Sequence, residues 1–174
     1  FKKEILEVRY KQKNINEILN LTVSEALIFF ADKKPICNKI RPLDDVGLGY
    51  VKLGQSSSSL SGGEAQRVKL ASFLSKKGAN KNDHTLFLFD EPTTGLHFHD
   101  IKKLLDSINA LIDEKNTAVI IEHNMEVIKN ADWIIDLGPE GGANGGFINF
   151  AGLPEDLVNL RSQNHTAHYL KEKL

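Results

Sequence analysis

The second half of the chain has apolar runs and helical patterns in an order that is typical of an α/β protein. Mostly apolar runs at residues 86–89 and 117–121 predict two buried strands. Between them, apolar residues recur at three- and four-residue spacing over residues 98–111, which predicts a helix. A third run at residues 133–137 predicts another strand. Strands separated by helices favour an α/β core with a parallel sheet flanked by helices.

The N-terminal part of the chain has a pattern of shorter elements. The elements that this pattern predicts are a strand-like alternation at residues 6–10 and two short helices at residues 14–20 and 22–31. Thr22 or Ser24 is a candidate cap for the second of these helices. Pro35 and Pro42 bracket a predicted connecting region, because proline favours turns and helix ends.

The composition excludes several classes of protein. Lys and Arg total 22 against 23 Asp and Glu, so a generally cationic nucleic-acid coat is excluded, although residues 1–13 hold five basic and two acidic residues. Cys37 is the single cysteine, which excludes an internal disulfide framework and a cysteine-built zinc site within the chain. The longest apolar run, residues 26–31, is too short to span a membrane, and no signal peptide is expected.

A predicted helix at residues 64–76 begins directly after a candidate anion-binding sequence. The residues of that sequence are Ser61, Gly62 and Gly63. Glycines let the main chain approach an anion closely, the helix amides and dipole point at it, and the serine can cap the helix and donate its hydroxyl. A serine-capped helix without a ligand remains the alternative. Arg67 and Lys69 on this helix are expected on a solvated face.

Two carboxylates follow the first predicted strand of the α/β core. Asp90 and Glu91 come directly after residues 86–89, where burial would cost desolvation energy unless they meet a cation or a proton. In nucleotide hydrolysis such an Asp holds Mg²⁺ through water, and the following Glu orients or deprotonates the attacking water. By itself the same pattern also fits a strand that ends in an acidic turn.

A histidine occupies the corresponding position one strand later. His123 follows residues 117–121 after one intervening residue. At the carboxyl end of a neighbouring parallel strand, a side chain is placed to contact a ligand at the top of the sheet. A lone histidine there is more often structural, so this position alone leaves both interpretations open.

Taken together, the three motifs have the layout of the ATP-binding-cassette (ABC) ATPases. Residues 60–71 resemble the family signature, residues 89–91 resemble the end of the Walker B strand, and His123 matches the switch histidine. Residues 93–97 fall where the family has its D-loop. The resemblance implies an α/β fold, namely the C-terminal portion of an ABC-type P-loop ATPase domain.

Five segments narrow the resemblance to the UvrA family, the damage-sensing ATPase subunits of bacterial excinuclease. They are residues 45–55 (DVGLGYVKLGQ), 60–72 (LSGGEAQRVKLAS), 90–97 (DEPTTGLH), 122–124 (EHN) and 131–142 (ADWIIDLGPEGG). His97 supports this resemblance, because most ABC ATPases carry Asp at that D-loop position and UvrA proteins carry His. The resemblance extends from about residue 5 to the C-terminus.

This resemblance implies a set of residues for ATP hydrolysis with Mg²⁺. Glu91 and His123 would be catalytic, Glu91 as base or water-orienting group and His123 as a contact to the γ-phosphate. Asp90 would bind Mg²⁺ through water. The residues that would bind nucleotide are Ser61, Gly62, Gly63, Asp90, Gly95 and Leu96, of which the first three would close over ATP held by the opposing nucleotide-binding domain.

One motif of such an enzyme is missing from the sequence. The chain has no Gly-Lys dipeptide and so lacks the Gly-x-x-x-x-Gly-Lys-Ser/Thr phosphate-binding loop. The resemblance implies that the Walker A strand is absent from this chain and that the chain is a fragment beginning just past the family's zinc module. Residues 1–55 are then expected to form the segment after that module, as part of the signature and helical subdomain. Residues 56–174 would form the ATPase core portion, and Zn²⁺ would belong to the full-length protein but not to this chain.

The resemblance also implies partners and a location. It implies a full-length homodimer in the cytoplasm, without a membrane partner, that binds damaged double-stranded DNA and the UvrB subunit in nucleotide excision repair, a part of the SOS response. The candidate DNA contacts are Lys2, Lys3, Arg9 and Lys11. Without the Walker A strand, the fragment alone is expected to be poorly stable and inactive.

Two other classes of function remain as alternatives. One is an ATPase that drives a membrane transporter, for which Asp would be expected in place of His97. The other is a non-catalytic interaction module that retains the motifs for assembly alone. Glu91 argues against the second, because degenerate cassettes often lose this carboxylate.

Overall fold

The chain forms two compact units in the computed structural model, which describes residues 1–75, 84–138, 140, 142, 145–160 and 164–173. The first unit is Phe1–Ile121 and the second is Glu122–Leu174. Each unit has an apolar cluster of its own. The expected division of the chain into residues 1–55 and 56–174 stays a prediction.

Six α-helices lie in the described part of the first unit. They are α1 (Lys3–Glu7), α2 (Ile15–Leu19), α3 (Val23–Phe29), α4 (Lys34–Asp45), α5 (Gly62–Leu74) and α6 (Phe98–Ile112). Thr22 caps α3, since its hydroxyl accepts from the amide of Glu25 while the Glu25 carboxylate accepts from the amide of Thr22, which confirms the predicted cap. A short 3-10 helix, Ser57–Ser59, precedes α5.

Two expectations for the N-terminal part are wrong. The strand-like alternation is replaced by α1 and an isolated bridge between Tyr10 and Lys13, because so short a stretch gains little as a strand without a long pairing edge. The proline-bracketed connection is the helix α4, with Pro35 in its first turn and Pro42 inside. A first-turn proline loses no intrahelical hydrogen bond, and α4 packs against α3, α5 and α6, which offsets the bond lost at Pro42.

A parallel pair of strands forms the sheet of the first unit. Strand β1 (Leu86–Asp90) pairs with β2 (Thr117–Ile121), and α6 connects them, as the sequence predicts. The inner face of this pair packs on α5 and α6 through the residues Phe87, Phe89, Ala118, Ile120, Leu70, Leu104, Ile108 and Leu111. The strands were expected to be buried, but this holds for one face only. The other face exposes Leu86, Leu88, Val119 and Ile121.

The second unit is an antiparallel strand pair with short helices. Its elements are α7 (Met125–Ile128), β3 (Ile134–Gly138), β4 (Phe147–Gly152), α8 (Pro154–Val158) and α9 (His165–Lys171). Strands β3 and β4 pair with one register shift beside Asp136. The Asp136 carboxylate accepts hydrogen bonds of 2.7 Å from both Asn164 and Thr166, and this joins β3 to the start of α9.

Candidate functional site

The N-terminus of α5 carries the candidate anion-binding sequence. The Ser61 hydroxyl oxygen accepts from the amide of Glu64 at 3.3 Å, and the amide of Ser61 donates to the Glu64 carboxylate at 2.7 Å, which forms a capping box. A Cβ on Gly62 would meet nothing within 4 Å, whereas one on Gly63 would lie 3.5 Å from the carbonyl oxygen of Thr94. The first turn of α5 is therefore open on one side and adjacent to the turn after β1 on the other.

The carboxylate pair lies at the carboxyl end of β1. The amide of Glu91 donates to the carbonyl of Ile121 at 2.9 Å and continues the ladder past Asp90, the last residue of the strand. Glu91 then takes a left-handed conformation with φ +44°, which is uncommon for a residue other than glycine. The amide of Thr94 donates to the carbonyl of Glu91 at 3.1 Å and closes a tight turn, and the side chains of Asp90 and Glu91 are exposed.

Two side chains of α5 hold this turn, and the sequence pattern assigned neither of them a role there. Gln66 exchanges two hydrogen bonds with the main chain of Asp90. Arg67 is 1% exposed and donates to the carbonyls of Pro92 (2.6 Å) and Thr94 (3.3 Å). The expectation that Arg67 lies on a solvated face is wrong, whereas Lys69 is exposed. Helical periodicity could have indicated this, because position 67 shares a face with the buried positions 63, 70 and 71.

An open cavity of about 640 Å³ lies beside the start of α5. Its lining includes Ser61, Glu64, Thr94, Gly95 and His97, so the structure brings residues of the predicted signature and of the predicted D-loop to one cavity. Leu96, a predicted nucleotide contact, is partly buried and packs against the apolar cluster of the first unit, and its role in nucleotide binding stays a prediction.

Tyr50 forms a further wall of this cavity, and its loop is bound to the start of α3. The amide of Ser24 donates to the carbonyl of Gly49 at 3.0 Å, and the Tyr50 hydroxyl donates to the Glu64 carboxylate at 2.5 Å. That hydrogen bond, followed by the one from the Ser61 amide, lowers the pKa of Glu64. Burial and the nearby Glu64 raise the pKa of Tyr50. Glu64 is therefore anionic and Tyr50 neutral near pH 7.

His123 belongs to the second unit and is exposed at its start. The amides of His123 and Asn124 both donate to the Glu122 carboxylate, at 3.0 and 3.2 Å. The Asn124 side chain accepts from the amide of Glu126 at 2.9 Å and caps α7. These hydrogen bonds order the main chain that carries His123, at two residues beyond the end of β2.

The four candidate DNA contacts differ in their surroundings. Lys2 and Lys3 are exposed, whereas Arg9 pairs with Glu17 at 3.4 Å. Lys11 donates to Asp32 at 2.5 Å and to the carbonyl of Phe29 at 2.9 Å. The hydrogen bond to Asp32 raises the pKa of Lys11. Arg9 and Lys11 therefore have local partners with which a phosphate would compete.

No group of three or more His, Cys, Asp or Glu residues in the described part of the chain could hold a metal ion. Cys37 is buried, and its thiol donates to the carbonyl of Phe30 at 3.0 Å. The exposed carboxylate of Asp90 fits a water-mediated contact to Mg²⁺, a cation that keeps several waters when bound by one or two carboxylates. No helix among residues 1–75, 84–138 and the later described stretches is long and apolar enough to cross a membrane.

Comparison with solved structures defines the class of protein. UvrA2 from Deinococcus radiodurans matches the whole chain with a TM-score of 0.81 and 42% identity, and the match covers 21% of that chain. A bacterial Atm1-family ABC exporter with ATP bound matches 90% of the chain with a TM-score of 0.50 and 23% identity, and the match covers 26% of the exporter chain. The chain therefore has the α/β fold of a part of an ABC ATPase domain, which confirms the predicted fold class.

Comparison with curated proteins gives the family. UvrABC system protein A of Clostridium tetani and of Vibrio cholerae are each 56% identical over all 174 residues, and that of Agrobacterium fabrum is 52% identical. The chain spans 18% of the length of each of these proteins. A scan against models of protein families finds no match. The chain belongs, as a segment, to the UvrA family, as the motifs predict.

Proposed function

We propose that this segment supplies the signature, the Walker B carboxylates and the switch histidine of ATP sites in a complete UvrA protein, where hydrolysis drives the recognition of damaged DNA. The signature helix is α5, which carries the proposed signature at its start. The single observation that carries the proposal is the set of hydrogen bonds by which Gln66 and Arg67 of this helix hold the end of β1 and the turn at Glu91. Family membership supports the same assignment, since identity to UvrA proteins extends over the whole chain.

Each candidate residue has a chemical role in this proposal. Glu91 orients or deprotonates the attacking water, and His123 contacts the γ-phosphate. Mg²⁺, bound through water to Asp90, neutralises charge that develops on the phosphate oxygens. The left-handed turn at Glu91 supports this role for its carboxylate, because strained main chain is concentrated at functional sites.

The start of α5 acts on a second nucleotide in this proposal. Ser61, Gly62 and Gly63 close over ATP held by the opposing nucleotide-binding domain, and Gly95 and Leu96 of the D-loop bind at the same interface. The open side at Gly62 supports close approach of a phosphate to the helix amides. The phosphate-binding loop for each ATP comes from a part of the protein that has a Gly-Lys sequence, which this chain lacks.

The proposed partners are those of excision repair. The complete protein forms a homodimer, binds damaged double-stranded DNA and the UvrB subunit, and works in the cytoplasm. Zn²⁺ is bound by another part of the protein, because Cys37 is the chain's single cysteine. Lys2 and Lys3 would contribute most of the phosphate contact from this segment, since Arg9 and Lys11 already have carboxylate partners.

The test uses the complete protein with Glu91→Gln, which keeps the size of the side chain and removes the charge. We expect steady-state ATP turnover to fall about 100-fold or more, while nucleotide binding and damaged-duplex binding in gel-shift assays persist. Glu172→Gln, an exposed carboxamide substitution at the end of α9, is the matched control and should retain full turnover.

The outcomes also separate the alternative functions. Wild-type turnover in Glu91→Gln would contradict the catalytic role of Glu91. Nucleotide-dependent assembly, measured by light scattering and present without any turnover in the wild type, would favour the non-catalytic interaction module. Purification of the protein with a membrane subunit would favour a transporter ATPase.

A further inference from the structure

Arg67 is a buried cation whose hydrogen bonds go to main-chain and phenol oxygens. Its Nη1 atom donates to the carbonyls of Pro92 and Thr94, and its Nη2 atom donates to the Tyr50 hydroxyl at 3.4 Å. The Nε atom has no hydrogen-bond partner among the described residues. The charge of Arg67 acts on the nearby Glu64 carboxylate, but no described carboxylate accepts a hydrogen bond from the guanidinium. Burying a guanidinium without such a bond costs desolvation energy.

Both carbonyls that Arg67 contacts belong to the proposed catalytic turn, residues 91–94. Pro92 and Thr94 follow Glu91, whose left-handed main chain persists only where the surrounding structure holds it. Arg67 is on the second turn of α5, and its Nη1 atom would also be 3.4 Å from a Cβ on Gly63. The guanidinium of Arg67 therefore joins α5 to the turn that carries Glu91 and lies beside Gly63 in the first turn of this helix.

We propose that Arg67 is a positioning residue that fixes the Glu91 turn to the signature helix and so couples nucleotide contact at the start of α5 to the geometry of Glu91. This inference rests on the proposed function, in which the start of α5 and Glu91 serve two different ATP molecules. Arg67 would then transmit the occupancy of one ATP site to the other within a single polypeptide.

This coupling depends on the stiffness of α5. A helix of 13 residues moves as a unit, so a phosphate that draws the Ser61 end closer also moves Arg67. Gln66 holds the main chain of Asp90 from the same helix, so the strand end and the turn follow together. A coupling of this kind requires two distinct sites and an element that both of them bias, and here that element is the turn at residues 91–94.

The test uses three variants of the complete protein. Arg67→Met removes the hydrogen-bond donors but keeps an apolar stem, and Arg67→Lys keeps the charge with fewer donors in a different geometry. Lys69→Met removes an exposed positive charge two positions further along α5 and is the matched control. Hydrogen–deuterium exchange of the peptide covering residues 90–96 is measured first, with and without ATP, and ATP affinity and single-turnover hydrolysis follow.

We expect faster exchange at residues 90–96 in Arg67→Met without nucleotide, by about threefold or more, with little change in the peptide of β2. ATP should slow this exchange in the wild type and in Lys69→Met but not in Arg67→Met. The single-turnover rate of Arg67→Met should fall about tenfold or more at an ATP affinity within about twofold of the wild type, and Arg67→Lys should recover part of the rate.

Exchange at residues 90–96 that is unchanged in Arg67→Met would overturn the inference, as would equal losses of rate and of ATP affinity. Global loss of protection in both Arg67 variants would reduce the residue to a structural role and would also overturn it. These outcomes are separate from failure of the proposed function, which would appear as a wild-type protein whose turnover is insensitive to Glu91→Gln.

Discussion

The side-chain amide of Gln66 forms a reciprocal pair of hydrogen bonds with the main chain of Asp90. Its Nε2 atom donates to the carbonyl of Asp90 at 3.1 Å, and the amide of Asp90 donates to its Oε1 atom at 3.2 Å. Because β2 lies on the other edge of β1, Gln66 substitutes for a strand at the position where β1 ends. The strand end that carries the carboxylates is thus held from both sides.

Removing this pair should loosen the end of β1. Gln66→Ala loses both hydrogen bonds, and Gln66→Glu loses the donor and places a carboxylate beside the carbonyl of Asp90. We expect a local destabilisation of about 1–2 kcal/mol in Gln66→Ala, at about 1 kcal/mol for each bond. Hydrogen exchange of the Asp90 amide in the complete protein measures it, with Lys69→Ala as the exposed control on the same helix. Unchanged protection in both Gln66 variants would contradict the structure.

Substitutions at Ser61 should separate helix capping from nucleotide contact. Ser61→Ala loses the cap and should cost about 1 kcal/mol of stability, whereas Ser61→Asp retains a good capping group. The added carboxylate of Ser61→Asp would repel a phosphate at the start of α5, so nucleotide-dependent assembly should be lost at near wild-type thermal stability. Light scattering and thermal unfolding of the complete protein measure the two effects. Normal ATP-driven assembly of Ser61→Asp would exclude nucleotide binding at this end of α5.

The hydrogen bond between Tyr50 and Glu64 should make stability depend on pH. The folded pKa of Glu64 is lowered from 4.5, so its stabilisation is present above about pH 4.5 and is lost as the pH falls through the folded pKa. The folded pKa of Tyr50 is raised from 10.0, so its contribution is present below about pH 10 and is lost as the pH rises through the folded value.

Tyr50→Phe should therefore destabilise the protein most between these limits. We expect its unfolding temperature to be lower than that of the wild type near pH 7 and to approach it as the pH falls below about 4.5 and through the folded pKa of Glu64. Tyr169→Phe, in which an exposed tyrosine of α9 loses its hydroxyl, is the control. A difference between Tyr50→Phe and the wild type that stays constant from pH 3 to pH 9 would show that Glu64 does not titrate through this hydrogen bond.

The isolated 174-residue chain should neither hydrolyse ATP nor stay monomeric. It lacks a Gly-Lys phosphate-binding sequence, and the outer face of the β1–β2 pair exposes Leu86, Leu88, Val119 and Ile121. Leu88 is the most exposed of these four side chains, at 71%. We therefore expect Leu88→Lys to reduce the self-association of the chain in sedimentation velocity runs.

Lys102→Gln, a change in α6 away from the apolar face, should leave that association unaltered. ATP turnover that copurifies with the isolated chain and disappears in Glu91→Gln would contradict the expected inactivity. A monomeric wild-type chain would contradict the expected association.

The sequence pattern predicted helices and strands correctly where the deciding interactions lie within a few residues of each other along the chain. The capping groups Thr22 and Ser61, the apolar period of α6 and the runs that form β1 and β2 are all such signals, and all were correctly interpreted. The pattern failed at α1, where so short a stretch has no long pairing edge, and at α4, where packing decided the conformation. Proline disfavours a helix interior locally, but the amphipathic face of α4 packs against three neighbouring helices.

The sequence by itself determined the class of fold, the family and the identity of the candidate residues, because motif spacing reflects the order of strands, turns and helix ends along the chain. Only the tertiary structure decided which side chains hold those residues in place. Gln66 and Arg67 lie more than 20 positions before the main-chain groups that they contact, and no local periodicity encodes such a contact. Their roles depend on how α5 packs beside β1, which is a property of the folded core.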